Sequence, residues 1–295
     1  MDVLVFGAGS LGSLIGGLLA GEHRVTLVGR DPHAATVAAE GLVVDGELDR
    51  RVHPDAATAV PTDAAPDLVV VTVKAYDTDA AAAALADCAP NTVLSLQNGL
   101  GNEARLAAEL DCPVLAGTCT YGAMLAEPGR VTCTGVGEVA LGPREGGESA
   151  TADRVGAAFE TAGIETTVAP DMPRRSWEKL AVNAGINATT ALARIENGAV
   201  LDGPASDVAA AAARETARAA REAGVDLSDG AAVDAVGSVA EATAANTSSM
   251  HQDVLAGRRT EVDAINGWVA ERVDAPVNRT LAGLIRAWER DRGLR

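Results

Sequence analysis

Val3-Leu4-Val5-Phe6-Gly7-Ala8-Gly9-Ser10-Leu11-Gly12-Ser13-Leu14-Ile15-Gly16-Gly17-Leu18-Leu19-Ala20 is the stretch whose reading decides the fold. Four apolar residues form a short buried strand, and a glycine-rich turn passes directly into an apolar helix. A lone G-x-G-x-x-G is weak evidence. Here it occupies the first strand-to-helix turn, where small residues permit a tight turn and let a ligand approach the backbone. The helix N-terminus then presents its amides to a pyrophosphate. Gly7, Ala8, Gly9, Ser10, Leu11 and Gly12 are therefore read as a dinucleotide-binding loop.

The next strand ends Thr26-Leu27-Val28-Gly29-Arg30-Asp31. An NAD site would place a carboxylate where Gly29 stands, to bind the ribose 2′-hydroxyl, whereas Arg30 suits a 2′-phosphate. Asp31 falls too late for the hydroxyl and precedes Pro32 as a turn residue. The pattern favours NADP, with NAD as the alternative.

Working outward, turn-bounded apolar runs mark strands at Val3 to Phe6, Val25 to Val28, Leu68 to Val73, Thr92 to Leu96 and Val114 to Gly117. Helical stretches such as Asp77 to Ala86 and Glu103 to Leu110 lie between them, so βαβ units and a parallel sheet are expected. From Tyr121 to Gly142 short strands with Pro-Gly and Gly-rich turns read as an antiparallel edge. A helix near Ala150 to Ala162 and a strand near Ile164 to Val168 close this region. Helical periodicity follows at Arg174 to Ile195, Ser206 to Ala223, Asp229 to Asn246 and Glu261 to Val273. The reading is an α/β domain over residues 1–168 and an all-α domain over 169–295, in line with roughly 150 residues per domain.

Composition bounds the function. An apolar share of 47% suits globular domains, and the formal net charge of −17 opposes wrapping around nucleic acid, which needs a basic face. No apolar segment of transmembrane length and no basic leader are seen, so a cytoplasmic protein with no membrane partner is expected. Cys88, Cys112, Cys119 and Cys133 show no metal-ligand or redox spacing, so reduced thiols and no metal site are expected. Excess carboxylate with only two lysines, Lys74 and Lys179, is similar to proteins of salt-loving archaea. In such a chain each surviving lysine needs a reason.

Lys74 follows one strand and Asn98 another, at the carboxyl ends where ligands gather on an open α/β sheet. Asn98 before Gly99 is equally well read as a turn. The helix opening the second domain carries Lys179, Asn183 and Asn187 every four residues, so they share a face and drift by only about 40° per step. Asparagine is a poor interior helix former, so this stripe suggests a polar cleft. A ketone reduction needs a proton donor at the developing alkoxide, and the Lys179 ammonium fits; amides can bind carboxylate and hydroxyl groups without adding charge. Further on, Ser248 and Ser249 can donate to a carboxylate. Glu261, taken alone, reads as a first-turn residue complementing a helix dipole, and His251 as a satisfied surface or core residue.

With these residues in view, the chain resembles the ketopantoate reductase family over both domains. The signs are the Gly7 to Gly12 loop, Lys74-Ala75, Gln97-Asn98-Gly99, Trp177-Glu178-Lys179-Leu180 with Asn183 and Asn187, Ser248-Ser249-Met250, and Thr260-Glu261. The resemblance implies a Rossmann domain followed by a helical domain of the 6-phosphogluconate-dehydrogenase-like type. It also implies reduction of ketopantoate to (R)-pantoate, on the route to pantothenate and coenzyme A, and is compatible with a homodimer. It implies Lys179 as proton donor and Asn183, Asn187, Asn197, Asn246 and Ser249 around the substrate. Around the cofactor it implies Gly7 to Gly12, Arg30, Lys74, Asn98, Ala123 and Glu261, with Glu261 also influencing Lys179, which displaces the helix-start reading. Tyr121-Gly122-Ala123 departs from the family pattern, so only a backbone contact is expected there.

Two alternatives remain at this level. A reductase of the 3-hydroxyacid or imine-reducing type also pairs a Rossmann domain with Lys-x-x-x-Asn, but the Ser248-Ser249-Met250 and Thr260-Glu261 blocks count against it. A non-catalytic NADP sensor would have no use for Lys179, Asn183 and Glu261 together.

Overall fold

The computed structural model describes residues 1–62 and 64–295. The chain folds as two compact units: one holds Met1–Gln97 and Gly101–Met172, the other Asn98–Leu100 and Pro173–Arg295. The second unit thus includes a three-residue piece carrying Asn98. No helix among the described residues is long and apolar enough to cross a membrane.

The first unit is built on an eight-stranded sheet in the order Thr166–Val168, Val139–Pro143, Val114–Cys119, Val93–Ser95, Leu68–Val71, Asp2–Phe6, Arg24–Val28, Asp55–Ala57. The neighbours from Val114–Cys119 to Asp55–Ala57 are all parallel, and Val139–Pro143 joins them antiparallel. Near-continuous runs such as Leu68–Val71, fully buried, are what a sheet covered on both faces requires. The fold is therefore a mostly parallel Rossmann-like domain with an antiparallel edge.

One detail differs from expectation. The hairpin Gly122–Glu127 and Arg130–Gly135 does not extend that edge; it joins Leu42–Gly46 and Arg50–Val52 in a second, four-stranded sheet. The short strands Arg50–Val52 and Asp55–Ala57 are three residues each and hold a single β-branched residue, Val52, so propensity gave little sign of them. Val44 and Val131 of the small sheet, both fully buried, pack into the same apolar cluster as Leu14, Leu18 and Phe159, which ties the sheet to the first helix.

The second unit is helical, with Met172–Ala193, Gly203–Glu222, Asp229–Ala242, Ser249–Leu255 and Pro276–Asp291 as its main elements. Its core is dominated by alanine, including Ala181, Ala184, Ala188, Ala212, Ala213, Ala217 and Ala220. Small side chains let backbones approach: a Cβ on Gly185 would stand 3.0 Å from Ala209 O. The expected helix from Glu261 to Val273 is corrected. Asp263–Gly267 forms a π turn, with the Gly267 amide donating 2.8 Å to Val262 O five residues back, and only Trp268–Ala270 continues as α-helix. Asn266 explains the widening: its side-chain amide donates to Ala184 O on the long helix and to Asn278 Oδ1, both at 2.9 Å. A polar side chain bonded into the core favours this bulged geometry over a regular ladder.

Candidate active site

The glycine loop of the first unit is shaped by close approach. Gly7 has φ +111°, and a Cβ there would lie 2.6 Å from Val73 N. A Cβ on Gly12 would stand 2.5 Å from Thr72 Oγ1, which itself donates 2.9 Å to Gly7 O. Gly9 is different: an added Cβ would have only Gly7 O nearby, at 3.9 Å. The protein's own packing demands Gly7 and Gly12, whereas the space over Gly9 is left open. The helix Ser10–Leu19 that follows has no side-chain N-cap and no acidic residue in its first turn. Its leading amides lack intrahelical acceptors, which suits an anion. A pyrophosphate fits these features.

The loop is braced from behind. Ser10 Oγ accepts from Leu125 N at 3.0 Å, which leaves its hydroxyl proton to donate elsewhere. Buried His33 accepts from Gly129 N through Nδ1 at 3.0 Å, so Nε2 carries the proton and donates to Ser13 Oγ at 2.9 Å. Burial pushes the His33 imidazole pKa down. Thr72 and His33 both lack a sequence motif; only their three-dimensional partners identify them as supports.

Register brings the remaining strand-end residues level. Phe6 pairs with Val28 and Val71, and Val71 with Ser95, so the loops bearing Gly7, Arg30, Lys74 and Asn98 leave adjacent strands at one height. Arg30 is exposed, and Gly29 stands where a Cβ would come within 2.8 Å of Ala8 Cβ, so no carboxylate side chain is accommodated at that position. Lys74 is half-buried where a 3₁₀ turn, Ala75–Asp77, begins. Gln97 fixes this end of the sheet by donating to Val73 O at 3.1 Å and Thr78 Oγ1 at 2.8 Å, while Thr78 donates to Asn102 Oδ1. Ala123 lies half-buried on the hairpin, paired with Cys133.

In the second unit Lys179 and Asn183 are half-buried and Asn187 is buried along Met172–Ala193. Asn183 Nδ2 makes a long contact to Asn98 Oδ1, 3.5 Å, and Asn98 Nδ2 donates to Glu261 Oε2 at 3.3 Å. Residues far apart in sequence thus meet as amide, amide and carboxylate. Glu261 is buried, and the structure draws it into this string instead of leaving it as a solvated helix start. Gly99, with φ +85°, packs so closely that a Cβ would sit 2.5 Å from Ala264 O; Asn98 is both turn and contact.

At the far end of the stripe, Thr190 Oγ1 and Ser248 Oγ are 2.7 Å apart. The Ser248 hydroxyl also caps Ser249–Leu255 by accepting from His251 N at 3.2 Å. Ser249 and Asn246 are exposed beside it. Asn197 is buried; its amide nitrogen donates to Thr243 Oγ1 at 3.0 Å, and its backbone N–H donates to Asn246 O at 3.0 Å. Asn197 Oδ1 is buried with no hydrogen-bond partner among the described residues. His251 is buried with its Nδ1 in the same condition, against the expectation of a satisfied residue.

Family models for "Ketopantoate reductase PanE/ApbA" and "Ketopantoate reductase PanE/ApbA C terminal" match residues 3–146 and 171–289. The chain belongs to the ketopantoate reductase family. Among relatives of that family, a 2-dehydropantoate 2-reductase of Halobacterium salinarum is 47% identical, covering 99% of this chain and 100% of that protein. One of Pyrococcus horikoshii is 37% identical, covering 98% of each. A crystal structure of a ketopantoate reductase family member from Ralstonia eutropha superposes with a TM-score of 0.91 at 31% identity, covering 99% of this chain and 100% of that one. D-mandelate dehydrogenase with NADH and anilino(oxo)acetate shares the fold at a TM-score of 0.93 and 22% identity, covering all of both chains.

Proposed function

We propose that this chain is a 2-dehydropantoate 2-reductase, reducing the ketone of ketopantoate to (R)-pantoate with NADPH in pantothenate and coenzyme A biosynthesis. The observation that carries the reading is the contact string Asn183, Asn98, Glu261, with Lys179 one helical turn before Asn183. It gathers donors and a carboxylate around a helix face that also holds the chain's second lysine.

When bound, the nicotinamide nucleotide supplies the hydride. The residues Gly7, Ala8, Gly9, Ser10, Leu11 and Gly12 hold its pyrophosphate on open backbone and helix amides. Arg30 takes the 2′-phosphate, helped by the absence of room for a carboxylate at Gly29. Lys74 and the backbone of Ala123 complete this side, and Asn98 fixes Glu261. Lys179 holds the proton that passes to the substrate oxygen as alkoxide charge develops, contributing both charge stabilisation and acid catalysis. Asn183 and Asn187 orient the substrate through neutral amide donors, with Asn197, Asn246 and Ser249 at its carboxylate and hydroxyl groups. Glu261, held by Asn98, is the carboxylate that influences Lys179 in this reading.

The test is NADPH oxidation at high salt with ketopantoate, 2-oxoisovalerate and a cyclic imine. Ketopantoate is expected to exceed 2-oxoisovalerate by about 10- to 100-fold in kcat/KM, because the latter lacks the hydroxyl the amides bind. Preferred turnover of the imine would contradict the reading.

A further inference from the structure

Glu289 is fully buried, a costly place for a carboxylate unless it is bonded and paired. Its Oε1 accepts from Thr260 N at 2.8 Å and from Thr260 Oγ1 at 2.7 Å. Thr260 Oγ1 in turn accepts from Val262 N at 3.3 Å. The amides on either side of Glu261 are therefore held, one directly and one through the threonine hydroxyl, by a single carboxylate from the C-terminal helix. Arg295 supplies the counter-charge to Glu289 and also reaches Asp263 Oδ2 at 2.5 Å. Arg286 bonds the other Asp263 oxygen at 2.8 Å, and Arg259 stands 3.8 Å away. Burial alone would raise the Asp263 carboxyl, but the hydrogen bonds from Arg286 and Arg295 outweigh it and hold its pKa below the ordinary value.

We propose that Glu289 is a positioning residue for Glu261, setting its backbone through Thr260 so that its carboxylate meets Asn98. The inference rests on the role given to Glu261 above. Nothing in the sequence signals it: Glu289 lies 28 residues beyond Glu261, in a separate helix.

A double-mutant cycle tests the idea. Glu289→Gln keeps an oxygen toward Thr260 but loses the charge, and should lower kcat/KM for ketopantoate by about 10- to 100-fold, mainly in kcat. In a Glu261→Gln background the same change should cost less than about twofold, because the residue being positioned no longer acts. Equal losses in both backgrounds, or no loss in either, would overturn the proposal. Should Glu289→Gln not fold, Thr260 decides: Thr260→Val should reproduce the kcat loss and Thr260→Ser should restore it, whereas matching kinetics for the two variants would refute the link. Hydrogen exchange of the Val262 amide, independent of turnover, should quicken in Thr260→Val and not in Thr260→Ser; unchanged exchange would also refute it. A wild-type protein inactive on ketopantoate would sink the functional reading alone, leaving the exchange result to decide the clamp.

Discussion

Two glycines of one loop should respond to alanine in opposite ways. At Gly9 the backbone is extended, φ −88° and ψ −154°, and a Cβ finds only Gly7 O at 3.9 Å. Gly9→Ala should therefore leave stability within about 0.5 kcal/mol of wild type, as expected of a change that meets no neighbour. The methyl would occupy the space in which the pyrophosphate must approach the amides. Loss of one charge-assisted contact, ~1.5–3 kcal/mol, would weaken NADPH binding by about 10- to 150-fold. At Gly12 the Cβ would press on Thr72 Oγ1 at 2.5 Å and on Gly7 O, so overpacking of ~1–3 kcal/mol outweighs the gain of ~1 kcal/mol in helix propensity. Thermal melts paired with titration of NADPH fluorescence separate the cases. Gly9→Ala should keep its Tm and lose cofactor; Gly12→Ala should lose Tm first. A Gly9→Ala protein that binds NADPH as tightly as wild type would refute the assignment of that space to the cofactor.

Arg30→Ala should erode the preference for NADPH over NADH by about tenfold or more at low salt, and less at high salt, where exposed charges are screened; an unchanged ratio of the two kcat/KM values would count against a 2′-phosphate contact. For His33 the folded pKa lies below the unfolded value near 6.5, so the unfolded chain binds the proton more readily. Its stabilising contribution is present above about pH 6.5 and is lost as pH falls from there toward the folded pKa. Between pH 7 and 5, Tm should therefore drop more steeply for wild type than for His33→Asn, and parallel curves would contradict the tautomer inferred from Gly129 and Ser13.

The strand-turn-helix of residues 3–20 is legible because its signal is local: apolar run, glycine spacing and helix follow without interruption. The Lys179, Asn183, Asn187 stripe is legible for the same reason, since a four-residue repeat needs no tertiary knowledge. What the chain does not announce is carried by contacts across long separations. Thr72 locks the glycine turn through Gly7 O, and His33 joins two helices to a hairpin at Gly129. Ser248 reads as a ligand donor in sequence; its contacts to Thr190 and to the amide of His251 are not legible there. Local reading also misjudges 261–273, because periodicity says helix while Asn266 is pulled inward to Ala184 O and opens a π turn.

The central claim is that Lys179 is the catalytic acid, and single-turnover reduction of ketopantoate by Lys179→Ala tests it most directly. Lys179 is half-buried on a polar stripe, so truncation opens no apolar cavity and NADPH should still bind the first unit. The rate of the chemical step should fall by ~10²- to 10⁴-fold with little change in cofactor affinity, while Asn183→Ala should act mainly on KM. A Lys179→Ala protein that reduces ketopantoate at a near wild-type rate would contradict the account, whatever else of the fold and cofactor site survives.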